Sequence, residues 1–163
     1  MRQKILSHSS TFTKKLAVRF ARKIIKIWPP EKALVIGLSG ELGGGKTTFI
    51  QGFAGGLGVK EKVLSPTFIL MRKFKIRNAK KAGRYFQNLY HFDCYRIARP
   101  KELLVLGFKE IIYRPENIAA IEWSEYLRKN MPKNTIWVKF SHRGKNVRKI
   151  QFTFPPGITI QAI

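Results

Sequence analysis

Residues 33–48 read Ala-Leu-Val-Ile-Gly-Leu-Ser-Gly-Glu-Leu-Gly-Gly-Gly-Lys-Thr-Thr, and the order of these residue types decides the fold. Ala33 to Leu38 is a short apolar run with β-branched members, the pattern of a strand buried on both faces in a parallel sheet. A glycine-rich loop follows directly. From Lys46 to about Gly55 the placing of Thr47, Phe49, Ile50 and Phe53 suits a helix, with Gly55-Gly56 as its stop. Gly40 to Thr47 thus satisfies G-x-x-x-x-G-K-[ST] in the context of strand, loop and helix that gives the pattern its meaning. Gly43, Gly44 and Gly45 let successive backbone N–H groups turn into one concave nest for phosphate oxygens, and the helix N-terminus adds its positive dipole end. In such a nest Lys46 reaches the β- and γ-phosphates of a nucleotide, and the Thr47 hydroxyl helps hold a bridging Mg²⁺. Thr48 is expected as a supporting hydrogen-bonder.

Outward from this stretch, Ser9 to Trp28 reads as an amphipathic helix capped by Ser9 or Ser10 and ended by Pro29-Pro30. Leu16, Phe20, Ile24 and Ile27 recur at helical spacing on its apolar side. Thr67 to Ile76 and Phe86 to Phe92 have strand composition and are expected as antiparallel neighbours across a polar connection, residues 77–85. Pro100 to Leu106 opens as a helix, and Phe108 to Tyr113 continues as a second short one. Asn117 to Ile121 is another buried strand, ending at Glu122-Trp123. Thr135 to Phe140 and Val147 to Phe154 form a late hairpin around Arg143-Gly144-Lys145-Asn146. The alternation predicts an α/β protein: a three-layer P-loop NTPase fold with a mostly parallel central sheet and a late antiparallel hairpin. With 163 residues, no repeat and no long Pro/Gly linker, one domain is expected over 1–163.

Composition narrows the setting. The lone Cys94 offers neither an internal disulfide nor a cysteine metal site, so a reducing, cytoplasmic location is the simpler expectation. No apolar run approaches the roughly 18 residues of a membrane span, and the N-terminus lacks the apolar core of a secretory signal. The net charge of +23, from 32 basic and 9 acidic residues, attracts polyanions at long range. Contact with RNA is one reading of that charge; simple solubility is the other, because the basic residues are spread along the chain.

A magnesium nucleotide needs a carboxylate opposite the loop, usually at the end of a neighbouring apolar strand. Glu122 stands there by position, although Asp is the more usual residue; otherwise it is a solvent-facing strand end. Asp93, in His91-Phe92-Asp93-Cys94-Tyr95-Arg96, ends the other candidate strand. It either orients an attacking water or a magnesium water, or simply caps the next turn. His91 reads as a buried histidine rather than a base, Trp123 and Cys94 as packing, and Ser65-Pro66-Thr67 as an ordinary turn.

Taken in order and spacing, GELGGGKTT (40–48), SPTF (65–68), HFDCYR (91–96) and IEWSE (121–125) resemble the TsaE family, also called YjeE, from about Thr13 to Arg148. The resemblance implies a P-loop ATPase required for N6-threonylcarbamoyladenosine at position 37 of tRNAs that read codons beginning with A, acting with TsaD and TsaB. It implies that Glu41, Leu42 and the residues through Thr48 wrap the triphosphate of ATP, with Thr47 and Glu122 on Mg²⁺. It makes Asp93 a catalytic or switch carboxylate, gives Trp123 a place beside the nucleotide, puts Thr13 near the adenine and Arg148 near the nucleotide, and makes 65–67 a switch-like loop. Four positions depart from the family: Gly44 for a common Ala, Arg72 for a Glu, Leu104 and Val105 for acids, and Ser124 for Pro or Ala. The Arg72 and Leu104-Val105 changes bear on partner contacts. Two other readings of the chain are a small-molecule or nucleoside kinase, for which no separate arginine-bearing lid is recognisable, and a non-catalytic RNA-binding module whose loop holds backbone phosphate.

Overall fold

The computed structural model describes residues 1–77, 86–97, 101–161 and 163. Four strands of one sheet run parallel: β2 (Leu34–Ser39), β4 (Asn88–Asp93), β5 (Asn117–Glu122) and β6 (Ile136–His142). Three strands pair antiparallel at the sides, namely β1 (Arg2–Ser7), β3 (Met71–Lys75) and β7 (Arg148–Thr153), giving the order β1-β7-β6-β2-β5-β4-β3. The mostly parallel centre and the late hairpin are as the sequence predicts. The two central strands read LVIG and NIAAI because both of their faces are covered.

Helices cover one face fully. On it α1 (Ser10–Ile27) and α2 (Lys46–Gly56) lie over Leu34, Ile36, Leu38, Ile118, Ala120, Ile150 and Phe152. The Ser9 side chain caps α1 by accepting from the Phe12 amide, and Trp28 ends it in extended geometry ahead of Pro29. The two helices approach closely through small residues: a Cβ on Gly52 would come within 2.4 Å of the Lys14 carbonyl, and one on Gly56 within 2.7 Å of Ala21 Cβ. Gly56 is therefore still helical and a packing residue, and the expected stop at Gly55-Gly56 moves on to Leu57. Since α2 ends there while α1 continues, Ile27 in the last turn lacks a helix to pack on and stays 41% exposed, and Trp28 is the fully buried side chain instead.

Over the other face α3 (Lys101–Leu104), α4 (Phe108–Tyr113) and a 3₁₀ helix (Ser124–Asn130) pack on Val35, Tyr90, Phe92, Ala119 and Ile121, completing three layers. Strand β1 and the 3₁₀ helix have no counterpart in the sequence reading. In contrast to the expected strand from Thr67, residues 67–70 form a turn, with the Ile69 and Leu70 amides on the Pro66 carbonyl, and β3 begins only at Met71. The polar connection at 78–85 and Pro100 lie outside the described residues. No described helix is long and apolar enough to cross a membrane.

Candidate functional site

Parallel strands β2, β4 and β5 all present their C-terminal ends at one edge, where ligands of open α/β sheets are held. Residues 40–45 turn there from β2 into α2. Gly40 has φ 128°, and a Cβ on it would lie 2.2 Å from the Phe140 carbonyl of β6, so the loop leaves the sheet along a path open only to glycine. Gly45, φ 99°, precedes α2; no side chain caps this helix and no acid stands in its first turn. An anion is the partner such a helix start accommodates.

The Lys46 ammonium is nearly buried. Its Nζ donates to the carbonyls of Gly40 (2.7 Å) and Glu41 (2.9 Å) and lies 3.7 Å from the centre of the Trp123 ring. Burial pushes its pKa below the ordinary lysine value, against the opposing pull of Glu122, Glu125 and Asp93. Trp123 reaches the lysine because its backbone is left-handed, φ 58°, where β5 turns abruptly into the 3₁₀ helix. A left-handed tryptophan is strained, and such strain concentrates at functional sites. The Tyr95 ring lies 4.9 Å from the indole.

Two carboxylates end neighbouring strands in register, Asp93 on β4 beside Glu122 on β5. Thr47 donates its hydroxyl to Glu122 Oε1 at 2.8 Å, and His91 Nε2 is 2.9 Å from the same oxygen. Asp93 Oδ2 accepts from the hydroxyls of Ser65 and Thr67 at 2.5 Å each, and its Oδ1 accepts from the Tyr95 amide. Burial alone would raise the Asp93 pKa. The two hydroxyls, the amide and nearby His91 outweigh it and hold the group below its ordinary value. Cys94, the next residue, points into the apolar layer, and burial together with the acids around it pushes its thiol up to about 12, which leaves it a packing group.

Two clefts of about 370 Å³ each meet at this loop and share Gly43, Gly45 and Thr48. The first is also lined by Leu42, Gly44, Lys46, Thr47, Asp93, Glu122 and Trp123, with Ser65, Thr67 and Tyr95 at its wall. Thr13, Ser9, Asn146 and Arg148 line the second. Nearly all the residues singled out in the sequence thus border one of two adjoining hollows. Glu41 differs: it offers its main-chain carbonyl to Lys46 and to the Gly44 amide, while its exposed side chain turns toward His142 at 3.9 Å. The Thr13 hydroxyl is engaged with Ser7 Oγ (2.7 Å) and the Ser9 carbonyl.

Sequence reasoning passed over His91, and it reached Ser65 and Thr67 only as part of a switch-like loop implied by the resemblance, without joining their hydroxyls to Asp93. His91 is fully buried and its Nδ1 has no hydrogen-bond partner among the described residues, so the one polar contact it makes is with Glu122. The sequence carries half of its signal, since His91 lies two residues before Asp93 on one strand face; its register beside small Ala120, two before Glu122, is set by the fold alone. What the arrangement can do chemically is hold a polyanion at the loop and a hard cation between Thr47 and Glu122, with a second carboxylate, Asp93, in the same cleft.

The family model described as threonylcarbamoyl adenosine biosynthesis protein TsaE matches residues 7–150. The chain is 36% identical to the Haemophilus influenzae tRNA threonylcarbamoyladenosine biosynthesis protein TsaE over 124 residues, 76% of this chain and 72% of that protein. It is 33% identical to the Bacillus subtilis protein of the same name over 119 residues, 73% and 68% of the two chains. Among solved structures, that of Bacillus subtilis YdiB superposes with a TM-score of 0.68 at 25% identity, covering 94% of this chain and 86% of that one.

Proposed function

This chain belongs to the TsaE family, and from that premise we propose that it is a magnesium-dependent ATPase serving threonylcarbamoyladenosine formation at position 37 of tRNAs that read codons beginning with A. Its partners in this reading are TsaB and TsaD, and ATP hydrolysis drives turnover of their complex. The observation that carries it is the convergence of Lys46, Thr47 and Glu122 on one cleft beneath an uncapped helix start.

In the nucleotide-bound form Lys46 exchanges the Gly40 and Glu41 carbonyls for phosphate oxygens, and residues 41–48 wrap the triphosphate. The Glu41 carbonyl keeps the Gly44 amide as its partner. The residues that would hold a divalent cation are Thr47 and Glu122, whose hydroxyl and carboxylate oxygens meet at 2.8 Å and are the hard donors Mg²⁺ takes. When bound, Mg²⁺ supplies neutralisation of charge developing on the transferred phosphoryl group. Asp93, held as an ionised acceptor, orients the attacking water, and Trp123 covers Lys46 and shields it from solvent. Thr13 and Arg148 border the second cleft, which takes the base and sugar. With charge and positioning in place, little covalent work remains for the protein.

Partner contact has support in exposed apolar side chains: Leu42 on the cleft wall, and Phe68 and Ile69 directly after the wall residue Thr67, with the Arg96 guanidinium 4.5 Å over the Phe68 ring. Leu104 and Val105, standing where the family often carries acids, are exposed as well, so that patch is apolar in this chain. The test is phosphate release from ATP by purified protein, with and without Mg²⁺ and with TsaB and TsaD added. Turnover that requires Mg²⁺, rises with the partners and is lost in Lys46→Ala supports the reading. Absent turnover, together with intact tRNA modification in cells carrying Lys46→Ala, overturns it.

A further inference from the structure

The charge is not evenly placed in the fold. Residues 1–30 hold eight lysines and arginines, residues 126–163 hold another eight, and neither stretch has an Asp or Glu. These stretches supply α1, which carries six of the first eight cations, and the strands β1, β6 and β7, which lie together as one side of the sheet. Cross-strand register sorts their residues onto two faces. Gln3, Ile5, Phe152, Ile150, Val138 and Phe140 turn toward α1 and α2. Arg2, Lys4, Thr153, Gln151, Lys149 and Lys139 turn the other way, and all of these are exposed or half-buried. The cover on that face ends at Trp137, which lies across Gly37 and carries the Arg128 guanidinium 4.9 Å over its ring.

We propose that this open three-stranded face, with Lys4, Lys139 and Lys149 at its centre and Arg2 and Arg128 at its rim, is a docking surface for the phosphate backbone of structured RNA. Its side chains are cations interspersed with neutral donors, Gln151 and Thr153, the set proteins use on phosphate and sugar oxygens. Lys4, Gln151 and Lys139 are paired in register and so form one row across three strands about 4.8 Å apart, a flat array rather than scattered charges. Arg2 and Lys4 alone would be explained as guards of an exposed sheet edge. Lys139 and Lys149 have no such explanation, since β6 and β7 are paired on both sides. The exposed basic side of α1, with Lys15, Arg19 and Arg22, is the competing surface; its cations follow one helix in a single line rather than a flat array across three paired strands. Among the residues of the sheet face Leu6 is the one large apolar side chain classed as exposed, too little for insertion into a bilayer.

The inference stands apart from the ATPase reading and is tested apart from it. The probe is an unmodified tRNA transcript, fluorescently labelled, titrated without nucleotide at several salt concentrations. The triple variant Lys4→Gln, Lys139→Gln, Lys149→Gln is expected to bind at least tenfold more weakly, and its log–log salt slope to fall by about 2–3. The triple variant Lys15→Gln, Arg19→Gln, Arg22→Gln on α1 is expected to lose less than about threefold. The sheet triple retains ATP turnover, which shows it folded, and Lys46→Ala retains RNA binding. Equal losses from the two triples would mean that charge acts at large and would overturn the assignment, as would no binding by the unaltered protein or no loss in the sheet triple. Tighter binding to phosphatidylglycerol vesicles or to polyglutamate than to tRNA would overturn it in favour of a membrane or an acidic protein.

Discussion

On one side of the glycine loop stands a cleft whose polar groups are already spoken for: Lys46 by two carbonyls and a tryptophan ring, Glu122 by Thr47 and His91, Asp93 by two hydroxyls and an amide. On the other side stands a cleft of the same volume lined by Thr13, Asn146 and Arg148, with no acid among its described residues. The charged side chains of the first hollow are all engaged within it, so a ligand reaching them must displace partners, and the site can change state. The second offers donors to whatever arrives. Chemistry with a developing charge needs the former, and holding the remainder of the substrate needs only the latter.

The comparison breaks most sharply at Glu122. Glu122→Gln keeps the shape and the contacts to Thr47 and His91 but removes the charge a cation needs. Mg²⁺-dependent hydrolysis is expected to fall by about 10²–10³-fold, while nucleotide binding measured in EDTA changes far less. A fall of equal size in EDTA would mean that Glu122 shapes the loop rather than holding the metal.

Asp93 tests whether the closed network serves catalysis or only the fold. Asp93→Asn substitutes an NH₂ group or a neutral oxygen for the acceptor that Ser65 and Thr67 share, at a cost of about 1–2 kcal/mol in stability and a roughly tenfold or greater loss of turnover. The pH dependence gives the sign. The folded pKa lies below the ordinary value of 3.8, so the folded form binds fewer protons. The stability from this group is complete above the unfolded value and is lost as pH falls through the folded one. The gap in melting temperature between wild type and Asp93→Asn is therefore expected at neutral pH and should close as the pH drops below about 4. A gap that persists in acid would assign the effect to packing.

How far this contrast could be read from the sequence depends on the range of the forces involved. The glycine loop is local: its residues need only each other, the strand before and the helix after, and all were legible. Glu122 and Asp93 were legible as ends of apolar runs. His91 and the Ser65-Thr67 hydroxyls were not, since their roles depend on which strands become neighbours and in what register. Thr13, Trp123 and Arg148 came into view through resemblance alone; nothing in the composition around Trp123 announces a left-handed backbone. β1 was invisible because an edge strand turns few residues inward: Ile5 packs against the core and Ser7 is buried, while Arg2, Lys4 and Leu6 face solvent. Ile27 misled for the converse reason, since helical spacing cannot tell where the covering helix ends.

In the second cleft the expected effects are on binding. Arg148→Ala removes a cation from a wall without acids, and nucleotide affinity is expected to weaken by roughly tenfold, with the Michaelis constant rising by more than the turnover number falls. The reverse pattern would move Arg148 into the chemistry of the first cleft and erase the contrast between them.

The smallest effect is expected at Thr13. Although it borders the second cleft, its hydroxyl is committed to Ser7 and to the Ser9 carbonyl, where β1 hands over to α1. Thr13→Val keeps the volume and deletes those bonds, leaving Ser7 its own contact to the Ser9 carbonyl. The expected cost is about 0.5–1.5 kcal/mol of stability, read as a lower melting temperature, with a loss of nucleotide affinity under about threefold. Thr13→Ser, which keeps the hydroxyl, should recover the melting temperature. If Thr13→Val instead weakened nucleotide binding as much as Arg148→Ala while melting normally, the hydroxyl would have to leave Ser7 for the ligand. The second cleft would then hold a side chain that a ligand must free from its partners, as the first does, and the distinction between a site that changes state and a site that waits would no longer hold.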